Sequence, residues 1–169
     1  LYTNHGLHFN KRGKTHIAQM IVNILSNKKK PNETREKIIN YAPIDTNTSN
    51  KINIVEADMF GTFDQWKTDP SAAFAHTISA DFNHHRHMSG GVAVLFRRKF
   101  GKPIDADYVD DNLTCQKIEA GAVVYSLVTK SNYNGKPKIV DYDSAFMQLT
   151  EDFKRRRLRT LVCSPMGCV

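Results

Sequence analysis

The sequence predicts an α/β fold, because segments with the composition of buried strands alternate with segments that have the apolar spacing of helices. The clearest strand candidates are 75–79 and 122–129, which are short and rich in small or β-branched residues. The first precedes a helix candidate at 92–100. The second precedes another at 142–153, whose apolar residues are spaced four, three and four apart and whose N-cap we expect to be Asp141.

A glycine turn separates the first strand candidate from its helix. Ser89, Gly90 and Gly91 follow a polar loop, and Val92 opens the apolar stripe of the helix, which Gly101 and a following proline end. A helix N-terminus after such a turn presents unpaired backbone N–H groups and the positive end of a dipole. The turn therefore indicates an anion site, with phosphate as the usual ligand, although a tight turn without a ligand is the plainer interpretation.

The stretch 75–101, AHTISADFNHHRHMSGGVAVLFRRKFG, resembles the first phosphate loop of macro domains, which bind ADP-ribose. It is most similar to the terminal ADP-ribose protein glycohydrolase subgroup, whose pattern is A-H-x-I-S-x-D followed by M-G-A-G-I-A-x-x-F-x-x-K-F-G. A serine stands here for the first glycine, and a few extra residues lie around 83–87. The resemblance implies a three-layer α/β/α macro domain with a mixed central sheet. It also implies that the ribose and phosphates contact Ser79, Ser89, Gly90, Gly91 and Val92.

A second motif lies upstream, after a strand candidate at 52–56. The run Ala57-Asp58-Met59-Phe60 is similar to the family's G-D-L-F, and the resemblance implies that Asp58 binds the adenine amino group while Met59 and Phe60 line the base pocket. A carboxylate accepting from an exocyclic amine forms a directional bond that a keto base cannot form. The alternative is a helix or turn cap, which is common for an Asp after a strand.

Lys130 is the candidate catalytic residue. It ends the 122–129 strand candidate, which we expect to form a hairpin with 116–119, and we expect 105–116 to be irregular. The run V-T-K is similar to L-I-T-K of the glycohydrolase subgroup, and the resemblance implies that Lys130 is the nucleophile that attacks the anomeric carbon of the distal ribose. The alternative is a surface lysine that closes a strand.

The end of the sequence resembles the start of a second phosphate loop. After a last short strand at 161–165 comes Met166-Gly167-Cys168-Val169, which is similar to P-x-I-G-C-G-L-D and implies ligand contacts from Gly167 and Cys168. The family's Asp in that loop, its next helix and its final strand have no counterpart in the sequence. We therefore expect 51–169 to be a macro domain that lacks its last elements, and we expect binding rather than efficient catalysis.

The N-terminal part has a different character. Its helix candidate at 13–25 has one apolar face, and the run before it resembles the tail of SGNH (GDSL-type) hydrolases, D-G-x-H-x-N. His8 matches the family's His, but His5 stands at the position of the Asp, and no block with a nucleophilic serine precedes them. We expect 1–26 to be a short helical remnant of such a domain without esterase activity, and 27–50 to be a polar, partly basic linker.

Composition bounds the remaining possibilities. No apolar run approaches the ~18 residues of a membrane span, and no signal peptide is visible, so we expect an intracellular protein with no membrane partner. The three cysteines lack C-x-x-C spacing, which favours free thiols in a reducing compartment. The formal charge of +7 favours polyanions such as nucleotide phosphates, poly-ADP-ribose or nucleic acid.

Three histidines, His84, His85 and His87, lie in the loop before the glycine turn. They suggest a metal, but no acidic or cysteine partner has suitable spacing, so we expect a solvated loop, no metal and no cofactor. Three functions remain open. These are an enzyme that removes ADP-ribose from acidic protein side chains or hydrolyses small ADP-ribose derivatives, a non-catalytic ADP-ribose reader, and a basic protein associated with nucleic acid.

Overall fold

The structure is a computed structural model that describes residues 57–164 and Met166. Its elements alternate between helices and strands, as the sequence pattern predicts. The helices are α1 (Met59–Trp66), α2 (Gly91–Phe100) and α3 (Ile139–Arg155), with a 3₁₀ turn at Asp105–Asp107. The strands are β1 (Ala72–Ser79), β2 (Tyr108–Asp110), β3 (Leu113–Lys117), β4 (Val123–Lys130) and β5 (Thr160–Cys163).

The five strands form one mixed sheet in the order β2-β3-β4-β1-β5. Strand β1 runs parallel to β4 and to β5, whereas β3 is antiparallel to β4 and β2 is antiparallel to β3. The register pairs Ser79 of β1 with Lys130 of β4. Because parallel strands end at the same edge of a sheet, the loops that follow β1 and β4 meet there.

Helices cover both faces of the sheet, which gives three layers. Alternate residues of β1 point to opposite faces. Ala73 and Ala75 belong to a core cluster that includes Phe146, Leu149 and Phe153 of α3. The neighbouring residues Ala72 and Phe74 belong to a second cluster, with Phe63 of α1 and Phe96 of α2. The α/β class and the mixed sheet predicted from the sequence are therefore present.

Two local predictions were wrong. The segment 105–116 is not irregular, because it contains the 3₁₀ turn, β2 and most of β3. Leu113 and Cys115 of β3 are buried beside β4, so pairing and burial outweigh the polar composition of their neighbours. Asp141 does not cap α3; it lies in the first turn of that helix, and Lys138 occupies the N-cap position.

Several predictions fall outside the described residues. These are the strand candidate 52–56, the segment 1–26 with His5 and His8, the linker 27–50, and the binding residues Gly167 and Cys168. Within the described part of the chain, none of the helices has the length and apolar content needed to cross a membrane. The two described cysteines, Cys115 and Cys163, are free thiols.

Candidate functional site

Two loops and the start of α2 come together where β1 and β4 end. The N–H of Ala80, just after β1, donates to the carbonyl of Lys130 at 2.9 Å, which ties the two strand ends together. Polar side chains gather around this point. We call them the strand-end cluster, and its members are Ser79, Asp81, His87, Ser89, Lys130 and Tyr133.

Asp81 joins the two loops of the cluster. Its Oδ2 accepts the backbone N–H of Tyr133 at 3.1 Å and lies 3.2 Å from Nδ1 of His87. Burial by itself would raise the pKa of Asp81, but hydrogen bonds involving Ser79 and Tyr133, together with the nearby imidazole, hold that pKa below its ordinary value. The carboxylate is therefore ionised at neutral pH and fixes the loop after β4 to the loop after β1.

Tyr133 is the residue that sequence reasoning missed. Its ring stacks on His87, with centroids 5.0 Å apart and planes 13° apart, and its hydroxyl accepts from Oγ of Ser89 at 3.3 Å. Its carbonyl accepts from Nζ of Lys130 at 2.6 Å. The sequence signal for this residue is only an aromatic side chain in a loop of small polar residues, because its partners on the other loop, from Asp81 to Ser89, lie 44 to 52 positions away.

The glycine turn has the geometry that the sequence predicts. Helix α2 begins at Gly91, whose φ of 57° lies in the left-handed region, and Gly90 at the N-cap supplies no capping side chain. The first turn of the helix contains no acidic residue. A Cβ built on Gly91 would meet no described atom within 4 Å, whereas one built on Gly90 would lie 3.2 Å from the hydroxyl of Tyr133. Val92, next along the helix, packs partly against the α1–α2 core.

Asp58 caps a helix, which is the alternative that the sequence left open. Its Oδ2 accepts the N–H of Gly61 at 2.9 Å, at the start of α1. Met59 packs partly against the core beneath α1, whereas Phe60 is exposed to 61%. Among the described residues, no hydrogen bond joins Asp58 to the strand-end cluster, and its Oδ1 accepts none. The cap therefore leaves Oδ1 of Asp58 without a described donor, next to the exposed ring of Phe60.

Neighbouring residues make several contacts with the histidine loop. Nζ of Lys102 donates to the carbonyls of Phe82 at 3.1 Å and His84 at 2.7 Å. The rings of His84 and His87 lie 4.5 Å apart, and His84 is equally close to His85. Even so, the ranges 57–164 and 166 contain no group of His, Cys, Asp or Glu that could hold a metal ion.

A buried polar pair lies on the same two strands. Nε2 of His76 is 3.0 Å from Oγ of Ser126, and the imidazole stacks on Phe96. Burial lowers the pKa of His76 to about 3, so this histidine is neutral at physiological pH. It is 1% exposed and cannot reach a ligand at the sheet edge, so it supports the packing of α2 on β1 and takes no part in the candidate site.

Comparison with protein-family models finds no match for this sequence, and a search of the curated proteins finds no match either. What the chain does must therefore be inferred from its own residues and their geometry.

Proposed function

We propose that this chain is a macro-type domain that binds ADP-ribose at the edge of the sheet where β1 and β4 end. The observation that carries the proposal is the N-terminus of α2 after Gly90, which has no side-chain cap and which Tyr133 links to the end of β4 through its contacts with Ser89 and Lys130. Backbone N–H groups and the helix dipole favour a phosphate at such a position. The net charge of +7 adds a general attraction for anions.

Asp58 supplies the proposed selectivity for adenine. Its role as a helix cap uses only Oδ2, so Oδ1 remains available to accept the exocyclic amine of the base. Phe60, beside it and largely exposed, offers an aromatic face for the base. In this proposal the pyrophosphate lies against the glycine turn, and the distal ribose lies near Ser79 and Lys130.

Calorimetry with ADP-ribose and AMP tests the proposal. ADP-ribose should bind more tightly, and Asp58→Asn should weaken it by about 1.5–3 kcal/mol because a charged acceptor is lost. Asparagine is also a good N-cap, so this variant keeps α1 intact. Equal affinity for ADP-ribose and AMP would contradict the proposal. Salt-dependent binding of DNA or RNA without a preference for ADP-ribose would favour the nucleic-acid alternative.

Two glycines of α2 provide a matched control for the same titration. Gly91 and Gly101 lie at opposite ends of the helix, both have positive φ, and a built Cβ meets no described atom within 4 Å at either. Alanine should therefore cost a similar ~1–2 kcal/mol of stability at both positions. Only Gly91→Ala places a methyl group against the proposed phosphate, so only that variant should lose affinity.

A second candidate function is hydrolysis, and the position of Lys130 favours it. The lysine faces Ser79 across the paired strand ends, on the same edge of the sheet as the glycine turn. In the proposed reaction the unprotonated amine forms a bond to the anomeric carbon of the distal ribose. The bond from that carbon to the ester oxygen breaks, and the acidic side chain leaves as a carboxylate. The nitrogen loses one proton to solvent as this bond forms, and the ribose ring of the adduct opens to give a Schiff base. Water then adds to the C=N bond, which releases ADP-ribose and restores the amine.

Borohydride trapping tests this second function. The reagent reduces a lysine Schiff base to a stable amine, which mass spectrometry locates. We expect an ADP-ribose adduct on Lys130 after incubation with an ADP-ribosylated glutamate peptide, and its loss in Lys130→Ala with ADP-ribose affinity retained. An adduct that persists in the variant, or that maps to Lys99 or Lys102, would leave the domain a reader only.

A further inference from the structure

Within 57–164 and 166, the residue that contacts the Lys130 amine is Tyr133. Its Nζ donates to the carbonyl of Tyr133 at 2.6 Å and lies 5.6 Å from the centroid of the same residue's ring. Both contacts lie within cation–π and hydrogen-bonding range. The position of Tyr133 therefore determines where the Lys130 amine lies.

Tyr133 is in turn held by the opposite loop. Asp81 accepts its N–H, His87 stacks on its ring, and Ser89 donates to its hydroxyl. The hydroxyl also lies over the glycine turn, because a Cβ built on Gly90 would come within 3.2 Å of it. Tyr133 therefore spans the distance from the lysine amine to the turn where the phosphate is proposed to bind.

We propose that Tyr133, anchored by Asp81 and His87, is a positioning residue that fixes the Lys130 amine beside the glycine turn. Attack on a ribose carbon requires the nitrogen to lie within a narrow distance and angle of that carbon, and a partly exposed lysine with four rotatable bonds does not hold such a position unaided. The ring and the carbonyl of Tyr133 supply that restraint. The catalytic meaning of this inference rests on the proposed function, whereas the placement of the amine does not.

Lysine acetylation, followed by peptide mass spectrometry, tests the placement in the ligand-free protein. Lys136 is the matched reporter, because it is exposed, lies close along the chain and has no partner among the described residues. In the wild type Lys130 should react several-fold more slowly than Lys136. Tyr133→Ala removes the ring but keeps the backbone carbonyl, so it should raise the Lys130 rate at least about twofold, toward that of Lys136. Tyr133→Phe, which keeps the ring, should leave the rate close to that of the wild type.

His87→Ala is the second variant, in case Tyr133→Ala fails to fold. His87 makes no hydrogen bond with Lys130 among the described residues, so an effect on the lysine is expected to pass through Tyr133, either by the stacked ring or by Asp81, which accepts the Tyr133 N–H. Like Tyr133→Ala, the His87→Ala variant should increase the labelling rate of Lys130 and leave that of Lys136 unchanged. Unchanged Lys130 labelling in a folded His87→Ala or Tyr133→Ala protein would overturn the inference.

The borohydride assay then separates positioning from a merely structural role. Tyr133→Ala should slow adduct formation on Lys130 by about tenfold or more and leave the ADP-ribose Kd within about threefold. Tyr133→Phe should restore the rate. An equal loss of rate and affinity would show a structural role and overturn the inference. Absence of ADP-ribose binding by the wild type would instead refute the proposed function, and the labelling result would still decide where Tyr133 holds the amine.

Discussion

Two polar networks in this molecule are each built around one carboxylate, and they differ in exposure. Asp81 lies at the sheet edge with 34% of its side chain exposed, and it binds a backbone N–H and an imidazole. Asp152 lies on α3 with 4% exposed, and it accepts from the hydroxyl of Tyr125 at 2.6 Å, from Nε of Arg156 at 2.5 Å and from Arg155. One carboxylate joins two loops, and the other joins a helix to the central strand.

The difference in exposure separates a binding role from a structural one. Protein donors reach both oxygens of Asp152, and Tyr125 is fully buried, so no ligand can enter. Burial, followed by the hydrogen bond to Asp152, raises the pKa of Tyr125, which keeps its hydroxyl a donor at every ordinary pH. The side chain of Asp81, by contrast, is partly exposed, and that of its partner Tyr133 is exposed. The Asp152 network should therefore control the free energy of unfolding, and the Asp81 network should control the placement of the loops after β1 and β4.

Asp152→Ala should give the largest effect. It leaves the hydroxyl of Tyr125 buried without an acceptor and removes the partner of Arg156, which should cost about 3–5 kcal/mol of unfolding free energy. Urea denaturation measures this loss, and the ADP-ribose affinity of the folded fraction should not change. Asp81→Ala is the matched control at the exposed carboxylate. If it destabilises the protein as much as Asp152→Ala does, the distinction between the two networks is wrong.

His76 extends the comparison of buried and exposed polar groups, because it is as buried as Asp152 but carries no charge in the folded state at neutral pH. Its pKa is about 3 in the fold and 6.5 when unperturbed, so between those values the unfolded chain binds the extra proton. Stability should therefore fall with decreasing pH below 6.5, by at most about 1.4 kcal/mol per pH unit. His76→Gln, which can still hydrogen-bond Ser126 but does not titrate there, should flatten this dependence between pH 6 and 4. An unchanged slope would assign the acid sensitivity to other groups.

The sequence predicts much of this fold, because burial leaves a periodic pattern. The α3 stripe of Phe146, Leu149 and Phe153 is buried as its spacing indicates, and Gly101 ends α2 with a φ of 83°. Strand β3 was missed because its burial comes from pairing with β4 and not from its own composition. The same limit applies to the site. The glycine turn is local and was found, whereas the Asp81–Tyr133 contact depends on two loops that the sheet register brings together.

Asp81→Asn should give the smallest effect on stability and a local effect on the site. Because Asp81 is partly exposed, losing its charge should cost no more than about 1 kcal/mol of unfolding free energy. The pKa of Asp81 is lower in the folded protein than its ordinary value of 3.8. The carboxylate therefore contributes its full stabilisation above pH 3.8, and this stabilisation is lost as the pH falls through the lower pKa of the folded state.

Amide hydrogen exchange gives the readout that distinguishes loop placement from global stability. The N–H of Tyr133 donates to Asp81, and asparagine keeps an acceptor oxygen there but a neutral and weaker one. Exchange of this amide should therefore speed up in Asp81→Asn at neutral pH, and more so in Asp81→Ala, while amides of the central strand β4 keep their protection. The reverse pattern is expected for Asp152→Ala, because a loss of global stability lowers the protection of β4. If both variants changed the two sets of amides alike, the exposed carboxylate would be as structural as the buried one. The anchoring of Tyr133, and with it the placement of Lys130, would then need another cause.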